Sequence, residues 1–271
     1  MKNRFLSLYL IVISIVSIPV LLVTLIHDTK NALNKPIVKN ISKTNIELQK
    51  EQMIETTVRI STPDNIFGSG TIIKKEQIAS NVYRYFIITA KHVTSDRLVV
   101  GDLKIDSITG DVSRDLKEEK FQIFIFDECG NIIDSLKAQF LDETSDYDLD
   151  CGLLYFDSEN IYPVANIATN EILLNLDILQ DVYAVGCPLK HIPIITTGTI
   201  CEFNEEQNYI LSTTNIAFGS SGGGLFIKQG DKYYLIGILF QIEGYRNNLF
   251  SFLTRSCPIK SLDLFLTKNG I

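Results

Sequence analysis

Tryptophan is absent from this 271-residue chain, and methionine (two), histidine (three) and proline (seven) are sparse. The lack of tryptophan carries no functional message. The five cysteines, Cys129, Cys151, Cys187, Cys201 and Cys257, are widely and irregularly spaced. No Cys-x-x-Cys pair occurs, which argues against a structural zinc site, because such sites use close ligand pairs. An odd count leaves at least one thiol unpaired within a monomer. The cysteines read as small buried hydrophobes, with one or two disulfides left open for an oxidising compartment. No run of Lys/Arg supplies a basic patch and the formal net charge is −7, so a nucleic-acid partner is not expected. No internal repeat or low-complexity tract stands out. Neither a metal nor a cofactor is implied.

What is present is globular: 45% of residues are hydrophobic and 21% charged. The N-terminus departs from that. Met1 to Arg4 is short and basic, and Phe5 to Ile26 is apolar without a single charge. About twenty such residues suffice to cross a bilayer as a helix. Leu25-Ile26-His27-Asp28 follows instead of small cleavage-site residues, so residues 1–27 read as an uncleaved single-pass anchor rather than a removed signal peptide. Flanking lysines do not decide orientation. A short basic leader before an apolar run resembles a signal anchor, which places the following domain on the extracytoplasmic side. Residues 28–50 are polar, rich in Lys and Asn and interrupted by Pro36, and read as a tether.

Beyond residue 51 the pattern is of short β-type runs separated by turns. They include Thr56 to Ser61, Gly68 to Ile73, Tyr85 to Thr89, Gln122 to Phe126, Cys151 to Phe156, Val182 to Gly186 and Tyr234 to Phe240. Helical periodicity is confined to Asn170 to Leu179 and to the tail from Pro258. In the tail, Ile259, Leu262, Phe265 and Leu266 form one stripe. Many short strands with a lone terminal helix imply an all-β sandwich or barrels.

Two segments carry chemistry. His92 follows the apolar run Ile87-Ile88-Thr89-Ala90-Lys91, so a strand delivers an imidazole to a turn, as a general base requires. By itself a surface-loop histidine explains it as well. Gly219-Ser220-Ser221-Gly222-Gly223-Gly224 is a glycine-rich turn running into the strand-like Leu225-Phe226-Ile227. Its glycines let backbone N–H groups converge, and the amides of Gly219 and Ser221 can form an oxyanion hole. A phosphate-binding loop would need Lys-Ser/Thr and a helix after its last glycine, and neither is present.

Gly68-Ser69-Gly70, Thr89-Ala90-Lys91-His92-Val93 and Gly219-Ser220-Ser221-Gly222-Gly223 together resemble the signature segments of the trypsin-like serine proteases, nearest to the bacterial HtrA-type branch without its C-terminal peptide-binding (PDZ) module. The similarity runs in order over about Val58 to Leu266. It implies two antiparallel β-barrels, residues 51–160 and 161–271, with a site between them. It implies Ser221 as nucleophile, His92 as base and an acid between them in the chain. Ser145 to Leu154 offers Asp146, Asp148 and Asp150. The family pattern of Asp, any residue, a small residue and two aliphatics fits Asp150-Cys151-Gly152-Leu153-Leu154, with Asp148 as the alternative. By the same resemblance, Thr214, Asn215, Leu239, Phe240 and Gln241 border the primary specificity pocket. No acidic residue stands among them, so a small or medium apolar side chain is expected there rather than Arg or Lys. Lys91, Ser220 and Gly224 depart from the usual residues, and Lys91 alternates away from His92 with solvent within its reach. No Ile-Val-Gly-Gly-type start precedes Val58, so tight coupling to N-terminal cleavage is not expected. The implied activity is peptide-bond hydrolysis of a protein or peptide substrate through an acyl-enzyme. A catalytically inactive protease fold serving as a tethered binding domain is the alternative.

Overall fold

The structure, a computed structural model, describes residues 52–63, 65–95, 98–105, 112–118, 120–146, 149–204, 206–246 and 248–271. The expected anchor (1–27), the tether (28–50) and the alternative carboxylate Asp148 lie outside them. Among the described residues no helix is long and apolar enough to cross a membrane.

The first half contains β1 (Thr57–Ser61), β2 (Phe67–Ala79), β3 (Val82–Thr89), α1 (Lys91–Ser95), β4 (Leu98–Ile105), β5 (Val112–Glu118), β6 (Phe121–Phe126), β7 (Ile132–Glu143) and β8 (Gly152–Ser158). Strands β1-β2-β3-β8-β7-β6 close into a six-stranded barrel, and β4 and β5 form a separate hairpin. The second half contains β9 (Asn166–Ile167), α2 (Asn170–Leu174), β10 (Asp181–Gly186), β11 (Ile194–Asn204), β12 (Tyr209–Ser212), β13 (Gly224–Gln229), β14 (Lys232–Tyr245), β15 (Asn248–Pro258) and α3 (Asp263–Lys268). Its sheet runs β13-β10-β11-β12-β15-β14, and pairing of β13 with β14 closes a second six-stranded barrel. β9 adds to β14 in parallel, Tyr234 opposite Asn166.

Strand alternation sorts the apolar residues into three layers. On β3, Tyr85 and Ile87 point into the first barrel with Ile123, Leu154 and Phe156. Phe86 and Ile88 point the other way, into a layer with Leu153, Phe226, Leu235 and Ile238 that joins the barrels. From Tyr85 on, both faces of this strand are therefore dry, which is why Tyr85 to Ile88 is a continuous apolar run. Each such fully buried side chain contributes about 1.5–3 kcal/mol. β14 shows the same logic with one irregularity. Against β13, Leu225 pairs with Gly237 and Phe226 with Leu235, so Ile236 is an extra residue. The bulge inverts the alternation: Leu235 and Ile238 join the inter-barrel layer, while Ile236 and Leu239 fill the second barrel.

The two helical expectations are met in shortened form. Thr169 caps α2 through its hydroxyl to the Ile172 amide, but the helix stops at Leu174. Pro258 is the last residue of β15, a 3-10 turn occupies Ile259–Leu262, and the α-helix proper begins at Asp263. The stripe still faces inward, since Ile259, Leu262 and Leu266 are buried. Lys268 Nζ (2.7 Å) and Asn269 Nδ2 (3.0 Å) both donate to Asp142 Oδ2 on β7, so the chain end straps onto the first barrel. Burial opposes ionisation of Asp142, but these bonds outweigh it and hold the carboxyl below its usual range.

Candidate active site

The end of β3 runs into α1, a single helical turn. Thr94 Oγ1 (2.8 Å) and Ser95 Oγ (3.0 Å) donate back to the Lys91 carbonyl, and Val93 N–H donates to Ala90 O (3.1 Å). Val93 and Thr94 are buried, leaving the His92 side chain 49% exposed. α1 packs on the first residue of β8: a β-carbon on Gly152 would lie 2.6 Å from Thr94 Cγ2. Only a glycine permits this approach, which brings Asp150, two residues earlier, against His92.

Asp150 grips His92 with both oxygens. Oδ1 accepts the His92 backbone N–H (2.9 Å), and Oδ2 lies 2.6 Å from the ring Nδ1. This fixes the ring orientation and leaves Nε2 as the nitrogen outside the carboxylate contact. Burial raises the pKa of Asp150, but the hydrogen bond and charge of His92 outweigh it, and the carboxyl stays below its usual range. The segment carrying Asp150 is pinned at its base. Thr144 N–H donates to Cys151 O (2.9 Å), Thr144 Oγ1 donates to Leu149 O, and Lys91 Nζ donates to Thr144 O (2.6 Å). Lys91 thus ties the histidine turn to the aspartate segment.

The glycine-rich turn meets the same region from the second barrel. Gly222 N–H donates to Leu239 O (2.7 Å) and Leu239 N–H to Gly223 O (2.8 Å), stitching the turn to β14. Ser221 O accepts from Ser69 N–H of β2 (2.7 Å). Phe218 O accepts from Leu189 N–H (2.8 Å), and Ser220 O accepts from Gly223 N–H (2.9 Å). Since the peptides of this turn are trans, each anchored carbonyl turns the following N–H, of Gly219 and of Ser221, the opposite way. Among the described residues no group accepts from either amide or bonds to Ser221 Oγ. Two donors thus stand unengaged beside a half-buried serine.

Gly222 adopts φ +87°, and a β-carbon there would sit 2.1 Å from Ser69 O and from Thr89 Oγ1. Gly230 also has positive φ (+60°) but has nothing within 4 Å. Gly222→Ala is therefore expected to cost at least about 100-fold in activity, because the serine would have to shift by something like an ångström. Gly230→Ala is expected to cost only about 1 kcal/mol of stability and no activity. Comparing both variants by thermal unfolding and turnover checks this; equal behaviour would refute the role given to the close approach.

His92 and Asp150 open onto a groove of about 600 Å³ lined also by Lys91, Leu149, Gln207, Tyr209, Phe240, Gln241 and Arg255. Arg255 lies 4.4 Å over the Tyr209 ring and pairs with Glu243 (2.6 Å). Phe240 and Gln241 of the expected pocket residues reach this groove. Asn215 lines a separate cavity of about 300 Å³ behind the serine turn, with Gly186, Ile216, Ala217 and Ser220. Thr214 and Leu239 are fully buried. Thr214 Oγ1 is 2.8 Å from Ser212 Oγ, and its carbonyl accepts from Thr254 Oγ1 (2.7 Å), so both residues shape the surface from beneath. Sequence reasoning assigned no role to Ser69, Lys91 or Thr144; Ser69 and Lys91 stood inside singled-out motifs, and Thr144 carried no signal.

All five cysteines are free thiols. Cys187 is buried, which pushes its thiol up to about 12, so it does not compete as a nucleophile. No cluster of metal-ligating side chains occurs among the described residues.

Comparison with known proteins agrees with the two-barrel fold. The profile of the trypsin-like peptidase domain matches residues 68–238. Two solved structures of the HtrA-type protease AlgW with a tripeptide, one of them a substituted form, superpose with TM-score 0.58 at 18% and 17% identity. Each comparison covers 83% of this chain and 63% of AlgW, so the chain spans less than two thirds of that protein's length. At such identity the likeness shows the fold alone. No curated protein sequence matches.

Proposed function

The chain belongs to the trypsin-like peptidase family, and on that premise we propose that it is a serine endopeptidase acting through Ser221, His92 and Asp150. The observation that carries this reading is the two-point grip of Asp150 on His92 beside a serine turn with two unengaged amides. Ser221 Oγ attacks the scissile carbonyl while His92 Nε2 takes its proton. The negative oxygen of the tetrahedral intermediate receives hydrogen bonds from Gly219 and Ser221 N–H, and one such donor is worth about 3–4 kcal/mol of barrier. Collapse expels the amine, which takes the proton from His92. Water, activated by the same imidazole, then releases the acyl group from Ser221. Asp150 holds the Nδ1–H tautomer and stabilises the imidazolium. No metal or cofactor enters these steps.

The substrate is a protein or peptide whose backbone runs beside Leu239, Phe240 and Gln241 of β14. Thr214 and Asn215 contribute to the pocket for the residue before the cut, and the absence of an acid among these five supports an apolar side chain there. The test is incubation of the full chain with an unfolded protein, followed by sequencing of new N-termini. Cleavage after apolar residues, lost on pretreatment with a fluorophosphonate, is expected. Probe labelling without cleavage of any peptide in a diverse library would make the protein a different hydrolase.

A further inference from the structure

Ser69 is fully buried on β2, between two glycines, and every polar atom it has is committed to the site. Its amide donates to Ser221 O (2.7 Å), and its carbonyl accepts from Thr89 Oγ1 (2.6 Å) at the end of the strand that leads to His92. Its hydroxyl accepts from Cys187 N–H (2.7 Å) and donates to Gly219 O (2.7 Å). The direction of that last pair is forced, because a backbone amide can only donate and a carbonyl can only accept. The single hydroxyl proton therefore goes to Gly219.

Gly219 sits at φ +94° and has no side chain to hold it. Its two flanking peptide planes need separate anchors. Leu189 N–H on Phe218 O fixes the plane that carries the Gly219 N–H. The plane on the other side of Gly219 has two anchors among the described residues: Ser220 N–H donates to Ala217 O (3.0 Å), a contact local to the turn, and the Gly219 carbonyl accepts from Ser69 Oγ, which ties the plane to β2. We propose that Ser69 is a positioning residue for oxyanion binding: its hydroxyl clamps the Gly219 carbonyl to the Cys187 amide, so that the Gly219 and Ser221 N–H groups converge on one point. Removing it takes the partner from the buried Cys187 amide and from the Gly219 carbonyl, and leaves the plane after Gly219 held by the Ala217 contact alone. The contacts of Asp150 with His92 involve no atom of Ser69. The inference rests on Ser221 as the nucleophile.

Loss of an oriented donor is expected to act on the transition state rather than on substrate binding. In the full chain, Ser69→Ala should label with a fluorophosphonate about 10–100-fold more slowly than wild type. On a cleaved peptide it should lower kcat by a similar factor with KM within about threefold. The pH midpoint of the labelling rate should not move, because the base and its carboxylate are untouched. Ser69→Cys, which keeps the volume but donates weakly, should behave alike and serves as the comparison if the alanine variant does not fold. A folded variant of either kind that labels within about threefold of wild type overturns the proposal, as does an effect confined to KM. Absence of labelling in the wild type would instead sink the serine-nucleophile reading, and this inference with it.

Discussion

Ser221→Ala is expected to abolish fluorophosphonate labelling and to reduce peptidase turnover by about 10⁶-fold, while leaving thermal unfolding unchanged. The fold does not depend on the hydroxyl: Ser221 Oγ makes no hydrogen bond among the described residues, and the turn is held by backbone contacts to Ser69, Gly223 and Leu239. Any remaining rate comes from the oxyanion donors and from binding. A variant that keeps turnover above about 1% of wild type would remove Ser221 from the mechanism.

Asp150→Asn is expected to cost about 10⁴-fold in kcat with little change in KM. The amide oxygen can still accept the His92 backbone N–H that Oδ1 accepts now, so the turn is kept. The amide NH₂ then faces Nδ1 where the carboxylate oxygen lies at 2.6 Å, and a donor there forces the proton onto Nε2. An Nε2–H imidazole cannot take the serine proton. Asp150 is held below the usual carboxylate range, so it stays ionised down through mildly acidic pH. An acid limb near neutrality in the wild-type rate therefore does not come from this residue. Asp148→Asn is expected to cost less than about tenfold. Steady-state kinetics on the two variants measures the ranking, and a larger loss at Asp148 would reassign the acid.

Much of this architecture was legible because burial on both faces writes plain apolar runs, as in Tyr85 to Thr89, Cys151 to Phe156 and Tyr234 to Phe240. Strands wet on one face were not. β7, β11 and β15 carry exposed apolar residues such as Ile132, Ile133, Ile194, Leu249 and Phe252 among polar ones, so alternation does not mark them. The extra residue at Ile236 hides β14's change of face, since a bulge leaves no mark in composition. The terminal stripe was visible, but not that its first turn is 3-10, because both helix types present Ile259, Leu262 and Leu266 to one side.

At the site, residue types singled out His92 and the Gly219 to Gly224 turn, while Asp150 was preferred to Asp146 and Asp148 only through the family resemblance. The small residue after the aspartate has a physical cause, the contact of Gly152 with Thr94. What sequence could not supply was long-range hydrogen bonding. The Lys91 contact with Thr144 spans 53 positions and that of Ser69 with Gly219 spans 150. Nor could it show that Thr214 and Leu239 lie under the surface while Phe240 and Gln241 form it, since that division depends on how β14 and β15 pair.

The most direct test of a serine nucleophile is mapping of the fluorophosphonate adduct by mass spectrometry of the digested protein. One adduct per folded chain, on Ser221, is the predicted result, with none after heat denaturation and none in Ser221→Ala. An adduct on Ser220 or elsewhere, or none on the folded wild-type chain, would contradict it.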